Sequence, residues 1–152
     1  MRNLFLTTLI VGILALIQGT ALADSGLISV KSNHSVRETG NRLESILEKK
    51  GMKVLLRINH AKGAEMAGMN LPATELIIFG NPKVGTPLMK CNRTTAIDLP
   101  QKALIWKDRN GLVWLTYNDP KYLESRHQIQ ACAKVIKKVQ GALRNFAKAA
   151  TK

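Results

Sequence analysis

Three histidines, two cysteines and a few amides, thioethers and lysines are the side chains here with chemistry beyond packing. His60 closes an alternating run, Met52, Val54, Leu56 and Ile58, and in that phase falls on the core-facing side of a strand. His127 lies within two turns of Asp119, a residue suited to cap a helix ahead of Pro120. Between them runs Ile78–Met89, IFGNPKVGTPLM, a strand emptying into a tight loop. Gly80, Asn81 and Pro82 stop the strand, and Thr86 with Pro87 predicts a helix start, Thr86 as N-cap and Pro87 at the first position. Such a junction gathers backbone N–H groups and Lys83 near one point. A cleft of His60, Asn81, Lys83, Thr86, Asn118 and His127 would therefore hold a small anionic or redox-active ligand.

A metal is the alternative occupant. His60, Met66, Met69 and Met89 offer imidazole and thioether, which favour copper(I) or haem iron over magnesium or calcium. No CxxCH is present, which excludes covalent haem attachment, and zinc-finger spacing is absent. Met66 and Met69 serve equally well as fillers beneath a short helix, so no cofactor is assigned. Cys91 and Cys132 leave two readings open, a disulfide stapling the central loop to the C-terminal helix or two buried thiols.

Catalytic patterns are lacking. Gly80-x4-Gly85-Thr86 has no lysine before the threonine for nucleotide phosphates, and no GxSxG occurs. Asp98 and Asp119 are single acids at turns, not a paired-carboxylate site. No residue is assigned a catalytic role.

The elements that must position these groups are legible from periodicity and caps. Leu27–Ser32 predicts a strand, and Ser35 with Glu38 forms a capping box for a helix to Lys50, closed by Gly51. Met52–His60 and Thr74–Phe79 predict strands around a short helix at Ala61–Ala67. Ala103–Trp106 and Leu112–Tyr117 pair as a hairpin across Asn110-Gly111. A single last helix follows Asp119, its stripe Ile129, Cys132, Ile136, Val139, Leu143 and Phe146 facing the sheet and Lys137 and Lys138 facing water. The expected architecture is α+β, a single two-layer domain: an antiparallel or mixed sheet of about five strands with helices on one face.

Charge and leader bound the setting. Arg2, the apolar run Leu4–Ile17 and Ala21-Leu22-Ala23 predict a signal peptide cut near Asp24, so residues 24–152 form the exported domain, periplasmic or secreted. The net charge of +13 would suggest nucleic acid in another compartment, but export and only 5% aromatic residues argue against it. An anionic small molecule or an acidic protein is the better partner, and no second membrane-length run is present.

FGNPKVGTPLM, IDLP at Ile97–Pro100, WLTYNDP at Trp114–Pro120 and RH at Arg126–His127 resemble the domain-of-unknown-function 302 family, with NHA at Asn59–Ala61 in order. The resemblance runs from about Ile28 to about Leu143. It implies a compact α/β domain that commonly forms a homodimer, and it implies no settled activity; a dimeric scaffold without ligand, its motif residues only building turns, is a third reading beside the ligand and metal ones.

Overall fold

The computed structural model describes residues 25–152, so the expected leader lies outside the described residues. Five strands, β1 (Leu27–Ser32), β2 (Lys53–Asn59), β3 (Thr74–Gly80), β4 (Gln101–Lys107) and β5 (Val113–Asn118), form one antiparallel sheet in the order β1-β5-β4-β3-β2. Helix α1 (Val36–Lys49) carries the chain from one edge to the other, and β2 to β5 return as a meander. Helix α5 (Ala133–Thr151) lies beside α1 on the same face. Leu43 and Leu47 of α1, Ile77 and Phe79 of β3, Ile105 and Leu115 of the hairpin, and Val139 and Leu143 of α5 fill the space between. Lys137 and Lys138 stay exposed, as the stripe requires.

Among the described residues no helix covers the other face of the sheet. Leu76, Ile78, Leu104, Trp106 and Trp114 alternate with the core residues and remain half-buried. The indoles are held in the sheet plane by hydrogen bonds: Trp106 Nε1 donates to Thr116 Oγ1 at 2.9 Å and Trp114 Nε1 to Asp108 Oδ2 at 2.8 Å. The Trp114 bond leads the causes that hold the Asp108 carboxyl below the ordinary range, with help from the backbone N–H groups of Leu112 and Asn110 in the hairpin turn.

Four expectations are corrected. In β2 a bulge between Val54 and Leu56 shifts the register by one residue, so Leu56 and Ile58 move to the uncovered face and Arg57 to the covered one. His60 consequently leaves the core side and becomes the exposed first residue of helix α2 (His60–Met66), which Asn59 caps. Helix α3 (Pro82–Cys91) begins five residues earlier than expected, capped by Asn81 rather than Thr86: Asn81 accepts from the Lys83 N–H and Pro82 takes the first turn. Pro87 then sits inside that helix, without the N–H that the Lys83 carbonyl would otherwise receive. The expected single last helix is two: α4 (Pro120–His127) ends at Gln128 in the left-handed region (φ 52°), a 3₁₀ turn spans Gln130–Cys132, and α5 follows. The Glu38 carboxylate, expected to close the capping box, instead meets His34 Nδ1 at 3.0 Å, while Ser35 Oγ accepts from the Glu38 N–H at 3.2 Å.

Candidate functional site

The strand–helix junction opens a cavity of about 430 Å³ at the end of the sheet. β3 ends at Gly80, and Asn81 fixes the turn twice, accepting from the Lys83 N–H and donating through Nδ2 to the Gly51 carbonyl at 2.9 Å. Helix α3 starts from this turn and lays Val84, Thr86, Leu88 and Met89 along one wall. The opposite wall comes from Met52, Leu55, Ala96, Leu99 and Val139. A β-carbon at Gly85 would stand 3.7 Å from Leu99 Cδ1, so the two walls already approach each other there. Apart from Lys53, Asn81, Thr86 and Gln101, this lining is apolar. It suits a hydrophobic body with a few polar contacts more than a bare anion.

Gln101 is the unusual member. It is 8% exposed, and its side-chain amide makes no hydrogen bond within the described residues. It lines this cavity and also a second hollow of about 440 Å³ beside it, which shares Met52, Val84 and Val139. The second hollow runs between α3 and α5 to Phe146, with Lys83 and Lys138 on its rim.

Behind the Ala96–Leu99 wall lies a polar cluster of a different character. His127, 6% exposed at the end of α4, directs Nε2 to Asp98 Oδ2 at 2.5 Å, and its Nδ1 stands 2.9 Å from Thr94 Oγ1. The imidazole thus has an oxygen partner on each ring nitrogen, the Asp98 carboxyl at Nε2 and the Thr94 hydroxyl at Nδ1. Arg126 Nη1 approaches Asp98 Oδ1 at 3.5 Å, and Asn92 Nδ2 donates to the His127 carbonyl at 2.9 Å. Hydroxyl, imidazole and carboxylate in this order resemble an acyl-transfer triad. Yet Thr94 Oγ1 is also 3.0 Å from Oδ1 of Asn92, the cap of the 3₁₀ turn Arg93–Ile97, and none of the three side chains lines the cavity. The arrangement braces that turn against α4, and with it the wall that Ala96 and Leu99 present.

The cysteines resolve to the bridged reading. Cys91 at the end of α3 is joined to Cys132 at the start of α5, so neither is a thiolate ligand. Leu88, Ile129, Cys132 and Ile136 form a small core beneath the bridge that seats α3.

Of the residues the sequence singles out, Asn81, Thr86 and Met89 meet at the cavity and Lys83 stands on the adjoining hollow. His127 is drawn into the neighbouring cluster, and Asn118 ends β5 opposite Leu27. His60 lies on α2 at the far edge strand, near Met66 and Met69, which are 82% and 63% exposed. Among the described residues no group of three or more His, Cys, Asp or Glu side chains could hold a metal ion. Sequence reasoning missed Thr94 and Asp98 as partners of His127, although Asp98 and His127 both belong to quoted motifs. It also missed Val84, Leu99 and Gln101, whose residue types give no signal of a ligand.

A two-layer α+β domain with a junction cavity is the class that fold and site define. The chain belongs to the family described as "Domain of unknown function DUF302", whose profile matches residues 28–146. A crystal structure of an uncharacterized conserved DUF302 protein from Bacillus stearothermophilus is similar in fold, with a TM-score of 0.77 at 18% identity, covering 85% of this chain and all of that one. Among curated proteins, "Fluoride-specific ion channel FluC 1" of Brucella suis biovar 1 is 51% identical over 109 residues, 72% of this chain and 43% of that protein. "Fluoride-specific ion channel FluC 2" of Brucella melitensis biotype 1 is likewise 51% identical over 109 residues, 40% of its length. The chain thus spans about two fifths of the curated relatives it matches. Among the described residues no helix is long and apolar enough to cross a membrane.

Proposed function

We propose that this is an exported, non-catalytic binding or accessory protein that holds a small molecule against α3. The observation that carries the reading is the apolar cavity built from Gly80–Met89 and the Ala96–Pro100 segment, lined also by Gln101, whose solvent-touching amide makes no hydrogen bond among the described residues. Export follows from the leader pattern at Leu4–Ala23, and the site uses part of the expected cleft, Asn81, Thr86 and, on the rim, Lys83. Titration with a neutral solvatochromic dye such as Nile red tests it. The emission should blue-shift with the native protein and not with Val84→Trp, whose indole would fill the space. Equal shifts with both proteins would refute the reading.

The 51% identity to part of proteins named as fluoride channels favours a second reading, in which a domain of this kind serves as an accessory beside a membrane ion channel. Co-purification with such a channel from detergent extracts would support it, and independent migration would refute it. The expected homodimer, in either reading, would pack through the uncovered face that carries Trp106 and Trp114. Native mass of Leu104→Glu against the unaltered chain tests that placement, since only a dimer using this face would split.

A further inference from the structure

The two hollows adjoin as a trough. They share Met52, Val84, Gln101 and Val139, so their lining together extends along α3 from Leu99 at one end to Phe146 at the other. Apart from Asn81, Thr86 and Gln101 the walls are apolar, and the rim carries Lys53, Lys83 and Lys138. Among the described residues no aspartate or glutamate lines either hollow. This is a marked asymmetry of charge around an apolar channel, and it limits the class of ligand. A neutral hydrocarbon would leave the three lysines and the Gln101 amide without a role. A small anion would leave the apolar walls wet. A molecule with both parts satisfies both observations.

We infer that the ligand is a single-chain anionic amphiphile of the alkyl-carboxylate type. Its chain lies along Val84, Leu88, Leu99 and Val139, and its carboxylate sits at the Lys83 and Lys138 end within reach of Gln101. The inference rests on the cavity reading above and adds to it the chemical class. Chain burial predicts a signature: at about 0.8 kcal/mol per buried methylene, affinity rises about fourfold for each added carbon until the trough is full. The lysines predict a second signature, a preference for the anion over the neutral alcohol of the same length that weakens with added salt.

Isothermal titration of the delipidated chain with octanoate, decanoate and dodecanoate, and with decanol and decyltrimethylammonium, tests both. The expected result is stepwise tightening with length, decanoate at least tenfold tighter than decanol, and little binding of the cation. The double substitution Lys83→Glu with Lys138→Glu, at exposed positions that leave the core intact, should abolish the preference or turn it toward the cation. Decanol binding as tightly as decanoate, with the double variant unchanged, would overturn the amphiphile inference and leave the cavity reading standing. Failure of the whole series, decanol included, would overturn both.

Discussion

The trough along α3 and the cluster around His127 are neighbours that treat interior space in opposite ways. In the cluster every polar group has a partner: His127 bonds on both nitrogens, Asp98 meets His127 and Arg126, and Asn92 caps one turn while holding the end of another. Arg57 is a second case on the covered face. Its guanidinium bonds Glu75, Glu44, Asn41 and the Arg37 carbonyl, and although burial works against its charge, Glu75 and Glu44 hold its pKa above the ordinary value. In the trough the reverse holds, for the Gln101 amide has no protein partner among the described residues and keeps contact with solvent, and the apolar walls do not close. The residues that promise chemistry by type are consumed in bracing, and the residues that leave room are ordinary ones.

That contrast can be broken or sharpened by experiment. The largest loss of stability should follow Cys91→Ser with Cys132→Ser. Chain entropy for a bridge across 41 residues gives about 4 kcal/mol, and the urea midpoint should fall accordingly. An unmoved midpoint would show that the small core under Leu88 seats α3 without the bridge. Next comes His127→Ala, which strands the carboxylate of Asp98 and should cost about 2–3 kcal/mol while changing dye or decanoate affinity by less than threefold. A binding loss exceeding the stability loss would move His127 from the brace into the site. Gly40→Ala reverses the usual helix rule. Alanine normally favours a helix interior by about 1 kcal/mol, but here its β-carbon would stand 2.6 Å from Arg57 Nη2, held in place by its carboxylates, so thermal melting should show destabilisation of about that size. Val84→Trp should have the smallest effect on stability, within about 0.5 kcal/mol because Val84 is exposed on one side, and the largest effect on binding.

How much of this was legible in the sequence differs from element to element. β1 and the Asn110-Gly111 hairpin follow from alternation and turn chemistry, and α5 from its stripe of Ile136, Val139 and Leu143. β2 was misphased because nothing in Val54-Leu55-Leu56 marks the bulge, and one extra residue sends every later side chain to the other face. The start of α3 was misplaced because Asn81-Pro82 and Thr86-Pro87 satisfy the same capping rule, and only the Asn81 bond to Gly51 selects between them. The break after His127 was hidden because Gln128, not glycine, takes the left-handed turn. Within the site, Asn81 and Thr86 were legible from the junction, while Asp98 and His127 lie 29 residues apart and meet only when α4 folds back on the 3₁₀ turn.

The bulge in β2 has a further effect. β2 is an edge strand, and an edge offers its free N–H and C=O groups to any passing chain. A flat edge bearing Leu55 and Leu56, 48% and 52% exposed, would be a template for sheet-to-sheet aggregation. The extra residue kinks and twists the strand at that point, so the spacing of its groups no longer matches an incoming strand. The irregularity that put His60 outside the core thereby also interrupts the regular template that an apolar edge strand would otherwise present.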